Sequence, residues 1–268
     1  MGSGIAQIAA QSGFDTILYD VDQKFLDNSK TKIEKILTTL QDKGKITSLH
    51  KKEVLDRLHF TTHIEDCKAD LVIEAIIENK EAKVALFKRL QSINGTTTLY
   101  ASNTSSIFIH EIAADLPFPE LIAGMHFFNP APLLKLVEII RTEITPDSTI
   151  QDLVTVAKQM NKTPVICKDA PGFIVNRVAR HYYLEALYLL EKENIPVENI
   201  DTIMEASGFK MGPFKLMDLI GIDINYATSN IVWNALHKPD RLKPSNIQKE
   251  KVEKSELGKK TGMGFYHY

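Results

Sequence analysis

The sequence predicts an α/β domain built on a largely parallel sheet, followed by an all-helical domain. Short apolar runs alternate with amphipathic stretches from the first residues to about 168, the texture of repeated βαβ crossovers. After Asp169-Ala170-Pro171-Gly172 the strand-like runs stop, and amphipathic stretches follow one another. The expected domains are therefore 1–169 and 170–268.

Each element has its own signal. Residues 3–12 place small and apolar side chains at helical spacing, and 16–20 is a short apolar run that reads as a buried strand. The patterns at 23–43 and 48–57 read as helices, and 58–61 as the second strand. Runs 69–75, 98–102 and 121–128 are further strands, separated by helices at 79–93 and 107–116. Runs 133–140 and 164–168 would close the sheet around a helix at 150–161. Beyond the boundary, 173–193, 199–207, 213–234 and 247–256 read as helices, with no strand before the last residues.

Composition narrows the function. Of the 268 residues, 44% are hydrophobic and 25% charged, ordinary values for a globular chain. Thirty-two basic against thirty-four acidic residues give a net charge of -2, which removes the usual electrostatic case for nucleic acid or an anionic membrane. No apolar run approaches the roughly 20 residues that span a bilayer. Cys67 and Cys167 form no CxxC pair, so a disulfide scaffold or zinc site is not expected, and no metal is. The first residues carry no basic segment and no long apolar segment, so no signal peptide is read there and a cytoplasmic protein is expected.

Met1-Gly2-Ser3-Gly4 opens the first helix with glycines, which let a helix N-terminus approach a phosphate. The next strand ends at Asp20, 18 positions after Gly2. An acidic residue at about that spacing accepts hydrogen bonds from an adenosine ribose and repels a 2′-phosphate, which favours NAD over NADP. Alternatively, Asp20 only starts a turn with Asp22. A nucleotide-binding sheet needs a strand before its glycine turn, and none precedes Met1. The sheet is therefore expected to lack a central strand. Either the true start lies upstream, or the chain is a fragment with little affinity for NAD.

Further motifs stand in a fixed order. Ala101-Ser102-Asn103-Thr104-Ser105-Ser106 follows one strand, and Gly124-Met125-His126-Phe127-Phe128-Asn129-Pro130 ends the next. Lys135-Leu136-Val137-Glu138, Lys168-Asp169-Ala170-Pro171-Gly172-Phe173-Ile174-Val175-Asn176-Arg177, Met211-Gly212-Pro213-Phe214 and Gly258-Lys259-Lys260-Thr261-Gly262-Met263-Gly264-Phe265-Tyr266 follow. In this order, over essentially the whole chain, the sequence resembles the L-3-hydroxyacyl-CoA dehydrogenase family. It departs from the family at its start, where a strand and GxGxMG would stand and this chain begins at the Met.

The resemblance implies a Rossmann-type NAD-binding domain, here truncated at its N-terminus, and a helical domain that dimerises. It also implies NAD-dependent oxidation of a 3-hydroxyacyl-CoA, short-chain such as 3-hydroxybutyryl-CoA, or the reverse reaction. The matched catalytic positions are His126, Glu138, Ser105 and Asn176. A neutral imidazole suits loss of the 3-hydroxyl proton, and a returning strand would bring Glu138 beside it to fix the tautomer. Ser105 and Asn176 would hydrogen-bond the reacting oxygen. Carried over as cofactor contacts are Gly2, Asp20, Glu78, Lys83, Asn103, Asn129 and Lys260. Lys43, after the long first helix, is a candidate contact to the CoA phosphates or else part of an exposed turn over 41–45.

Each position has a plainer alternative. Ser105 could cap the helix beginning at 107, Asn176 could bond between helices, and Glu78 and Lys83 could belong to a solvated helix face. His59 and His63 lack acidic or Cys companions, and Cys167 reads as strand rather than nucleophile. A dehydrogenase of free 3-hydroxy acids, which uses a helical-domain lysine, is a second enzyme reading. A non-catalytic protein on a dehydrogenase fold is a third.

Overall fold

The structure, a computed structural model, describes all 268 residues and divides into two compact units, Met1–Asp169 and Ala170–Tyr268. In the first unit, helix α1 (Gly2–Gln11) leads into strand β1 (Thr16–Tyr19). Helices α2 (Gln23–Asp42) and α3 (Ser48–Asp56) then lead to β2 (Leu58–Thr61). Strand β3 (Leu71–Glu74), helix α4 (Lys80–Asn94), β4 (Leu99–Ser102), α5 (Ile109–Ala113) and β5 (Ile122–Phe127) follow. The unit ends with β6 (Leu136–Arg141), α6 (Asp147–Gln159) and β7 (Thr163–Lys168).

The strands form two sheets rather than one. β1 pairs in parallel with β2, and the other five run in the order β3-β4-β5-β6-β7. β3, β4 and β5 are parallel, β5 and β6 antiparallel, and β6 and β7 parallel. No ladder joins β1 to β3, and the N-terminus of α1 lies between them. A Cβ on Gly2 would stand 3.7 Å from the Leu18 side chain and 4.0 Å from that of Ala75. The two sheets thus stand apart on either side of the start of α1.

Apolar side chains alternate onto the two faces. Ile5 and Ile8 of α1, with Leu153 and Ala157 of α6, cover Ala101, Met125, Phe127, Val137 and Ile139 of the central strands. Ala6 and Ala10 present the other side of α1 to Ile33 and Leu37 of α2, Val54 and Leu58. Tyr100 is fully buried, edge-on to Phe87 of α4 at 6.2 Å.

The second unit holds α7 (Val175–Lys192), α8 (Val197–Ala206), α9 (Pro213–Ile220), α10 (Ile222–Ala235) and α11 (Asn246–Glu253). Tyr183, Leu187, Ile200, Phe214, Met217 and Ile222 form its core. The single helix predicted over 213–234 is broken at Gly221, which has φ +106°. Only glycine adopts that angle readily, and a side chain there would also meet Asp223 and Lys260. The C-terminal residues are tied down by two buried carboxylates. Asp218 accepts the Phe265 and Tyr266 N–H groups, and Asp201 accepts those of Phe214 and Lys215 together with the Tyr266 hydroxyl.

Candidate active site

In the antiparallel ladder His126 and Glu138 are direct partners, so their side chains leave the same face. Glu138 Oε2 lies 2.8 Å from His126 Nδ1, with the glutamate fully buried and the imidazole nearly so. Close approach of β6 needs Gly124, since a Cβ there would fall 2.6 Å from Ile140. The Phe128 ring stands 4.6 Å from the imidazole, centroid to centroid. A carboxylate at Nδ1 favours the tautomer protonated there and supports a positive imidazole when a proton arrives at Nε2.

Beside this pair, β3 and β4 end in register, Glu74 opposite Ser102. The Glu74 carboxylate receives Lys83 Nζ at 2.7 Å, the Ile76 N–H at 2.7 Å and the Ser102 hydroxyl at 2.6 Å. Lys83 stands in the first turn of α4, 1% exposed, and its ammonium also lies 3.3 Å from Glu78 Oε2. Glu78 Oε1 in turn accepts the Thr104 hydroxyl at 2.7 Å, the Ser106 hydroxyl at 2.8 Å and the Ser105 N–H at 2.9 Å, with the Ser105 hydroxyl at 3.3 Å. Burial pushes the Glu78 carboxyl pKa up, but the Thr104 hydroxyl, the Lys83 ammonium and the Ser106 and Ser105 donors outweigh it. Together they hold the group below the usual carboxylate range.

Asn103 links this cluster to the histidine strand. Its N–H donates to the Glu74 carbonyl at 2.8 Å, and its Oδ1 accepts the Phe127 N–H at 2.8 Å. The helix predicted over 107–116 is shorter in the structure, where α5 spans Ile109–Ala113, and residues 104–106 ahead of it bond Glu78. Ser105 does not cap it. Thr104 Oγ1 accepts the Ile107 N–H, and the Asp169 carboxylate accepts those of Ile109 and His110. Burial, and then the Glu138 and Asp169 carboxylates, push the Cys167 thiol up to about 12, which disfavours a thiolate nucleophile.

At the far end of the strand row, Asp20 follows β1. Its Oδ1 accepts the Asp22 N–H at 3.1 Å, so the turn engages one carboxylate oxygen, and Asp22 itself caps α2. The N-terminus of α1, opened by Gly2, has no side-chain cap. An uncapped helix start suits a pyrophosphate, and a carboxylate at a strand end suits a ribose diol.

The remaining predicted positions lie on other elements. Asn129 is exposed just after β5, and Lys43 is exposed at the C-terminal end of α2. In the helical unit, Asn176 stands in the first turn of α7, where its carbonyl accepts Arg180 Nε at 2.9 Å. Lys260 is bidentate to Asp223, at 2.5 and 2.7 Å. Glu74, Thr104 and Asp169 were not predicted. The available signal for Glu74 was a carboxylate within the otherwise apolar run 69–75.

Comparison with known proteins agrees over the full chain. Residues 1–170 match the family model described as 3-hydroxyacyl-CoA dehydrogenase, NAD binding domain, and residues 172–268 match its C-terminal domain. A probable 3-hydroxybutyryl-CoA dehydrogenase of Deinococcus radiodurans is 43% identical across all of this chain and 96% of its own length. A 3-hydroxyadipyl-CoA dehydrogenase of Escherichia coli K12 is also 43% identical, and the chain spans 57% of it. Among solved structures, a 3-hydroxybutyryl-CoA dehydrogenase from E. coli K12 superposes with TM-score 0.97 at 43% identity, over all of this chain and 57% of that one. A (S)-3-hydroxybutyryl-CoA dehydrogenase from Ralstonia eutropha gives 0.96 at 35% identity, over all of this chain and 95% of that one. With a Rossmann-type unit that takes NAD and a helical unit behind it, this chain belongs to the 3-hydroxyacyl-CoA dehydrogenase family.

Proposed function

We propose that the protein oxidises a short-chain (S)-3-hydroxyacyl-CoA such as 3-hydroxybutyryl-CoA, or runs the reverse reduction, with His126 as the general base. The observation that carries this reading is the buried His126–Glu138 pair at the C-terminal end of β5, where open α/β sheets place their ligands. Nε2 takes the 3-hydroxyl proton while Glu138 steadies the imidazolium. Bound NAD supplies the hydride acceptor. Ser105, held by Glu78, and Asn176 hydrogen-bond the reacting oxygen and fix the orientation of C3. Asp20 accepts from the adenosine ribose, Gly2 lies under the pyrophosphate, Glu78 and Lys83 lie toward the nicotinamide end, and Asn103 and Asn129 contact the dinucleotide. Lys260 contributes to the cofactor side, and Lys43 meets the CoA phosphates.

The pair favours this activity over a dehydrogenase of free 3-hydroxy acids, whose acid–base group is a lysine. Assay of 3-hydroxybutyryl-CoA against free 3-hydroxybutyrate tests it. Turnover of the thioester alone is expected, and preference for the free acid overturns the reading.

The helical unit forms a symmetric homodimer in this reading. Val178, Ile203, Leu219, Ile224 and Phe209 are exposed on it, more apolar surface than about 100 residues hide alone. A two-fold pairing is the commonest way to bury such a surface. Light scattering at micromolar concentration is expected to give twice the chain mass. No helix is long and apolar enough to cross a membrane. The cytoplasm is the proposed compartment.

A further inference from the structure

The strand ends fix the order of a bound dinucleotide. The adenosine ribose belongs at Asp20 after β1, and the pyrophosphate at α1 between Leu18 and Ala75. The nicotinamide must reach a carbon whose hydroxyl meets His126 on β5. It therefore lies across the ends of β3 and β4, where Glu74, Lys83 and Glu78 are gathered.

That cluster contains two carboxylates and one ammonium. Glu74 and Lys83 are almost wholly buried, while Glu78 is partly open. Glu74 receives three hydrogen bonds, from Lys83, Ser102 and Ile76, and every one comes from a donor. Glu78 likewise receives only donors, from Thr104, Ser105 and Ser106, besides the Lys83 ammonium. Every contact to the two carboxylates is thus one that a carboxylate oxygen accepts. One ammonium shared between them leaves one negative charge in excess, in a site where screening is weak.

The two cofactor forms differ chiefly at the nicotinamide ring, which is positive when oxidised and neutral when reduced. From the burial and charge of this cluster we infer that Glu74 is a specificity-determining residue. It biases the site toward the oxidised cofactor, acting through Lys83 and Glu78 rather than by touching the ring. The inference rests on the proposed placement of NAD along the strand ends. It explains why a lysine one turn into α4 is buried against carboxylates, although a solvated ammonium there would cost less.

The test is the ratio of two dissociation constants in the full chain. NADH is titrated by its own fluorescence, NAD+ by competition against it, and ADP-ribose as a ligand without the ring. In Glu74→Gln, NAD+ affinity is expected to fall roughly three- to tenfold more than NADH affinity, the effect of one charge across several ångströms of protein and water. Glu74→Asp keeps the charge, and its ratio is expected to stay near that of the wild type. A merely structural Glu74 would weaken NAD+, NADH and ADP-ribose by one common factor, which overturns the inference. So does a ratio that shifts as far in Glu74→Asp as in Glu74→Gln. If Glu74→Gln does not fold, Glu78→Gln removes the same excess charge from a partly open position. The same selective loss is expected there, and a common factor overturns the inference. Asp20→Ala separates the underlying placement. Weakened ADP-ribose binding supports it, and unchanged ADP-ribose binding refutes it along with the inference.

Discussion

His126 and Glu138 face each other across the antiparallel ladder of β5 and β6, with Nδ1 2.8 Å from Oε2 and neither group open to bulk water. Twelve residues separate them in sequence, but the register, made possible by Gly124, puts them side by side. The carboxylate works on the charge that develops on the ring, so the two substitutions should read differently. His126→Ala is expected to lower kcat about 10²–10⁴-fold, the usual loss for a general base, with NAD affinity nearly unchanged. Glu138→Gln is expected to lower kcat more than it raises KM, because its contact strengthens as the imidazolium forms. Steady-state kinetics checks both. An unaltered kcat in His126→Ala removes the base, and a pure KM effect in Glu138→Gln makes Glu138 structural.

Asp20 follows β1 with one carboxylate oxygen engaged by the Asp22 N–H. The turn is a local bond that other residues can supply, whereas repulsion of a 2′-phosphate needs the negative charge. Asp20→Ala is therefore expected to weaken NAD and to narrow the preference for NAD over NADP. Titration with both cofactors measures the preference. If it is unchanged, Asp20 is a turn residue alone.

Glu78 gives a pH dependence whose sign follows from its partners. Its carboxyl is held below the usual range, despite burial, by Thr104, Lys83, Ser106 and Ser105. A lowered folded-state value means that ionised Glu78 stabilises the fold above the unfolded carboxyl value, about 4.3. That contribution is lost as pH falls through the lower folded-state value. The difference in Tm between wild type and Glu78→Gln is thus expected to be constant from pH 7 to about 5 and to shrink on further acidification. A difference that grows toward acid would mean the carboxyl is destabilising.

Local period carried most of the fold into the sequence. β2 runs over 58–61 as the apolar run suggests, and α2 and α3 end within a residue of their patterns. Misreadings arose where a tertiary contact overrides period. Gly221 breaks an unbroken apolar pattern because of its backbone angle, and the start of α5 is set by the distant Asp169 carboxylate, which accepts the Ile109 and His110 N–H groups. The site was legible only in part for the same reason. His126 and Glu138 stand out as polar residues in apolar strands, but so does Glu74, and its partners lie 9 and 28 positions away. Nothing in the order of residues says that Lys83 turns inward.

The divided sheet leads to the remaining expectation. β1 has a ladder only with β2, and β3 only with β4, so each has one edge without strand partners. Within each sheet the pairing is parallel, and Gly2 lies between Leu18 of β1 and Ala75 just after β3. One parallel strand in that gap would pair with both edges and deliver a Gly-x-Gly turn to the N-terminus of α1. Extending the chain ahead of Met1 by about six apolar residues, a usual strand length, followed by Gly-Ala-Gly-Thr should join the two sheets. Each backbone hydrogen bond formed contributes about 0.5–1.5 kcal/mol, so several together are a large share of a domain's stability. For a unit of this size that corresponds to a rise in Tm of roughly 2–4 °C per kcal/mol gained. NAD affinity should rise with it, because the pyrophosphate gains the close backbone approach that the first glycines allow. Thermal melts and NAD titrations of the two forms decide the matter. Equal Tm and equal NAD affinity would mean that the gap costs the fold and the cofactor site nothing.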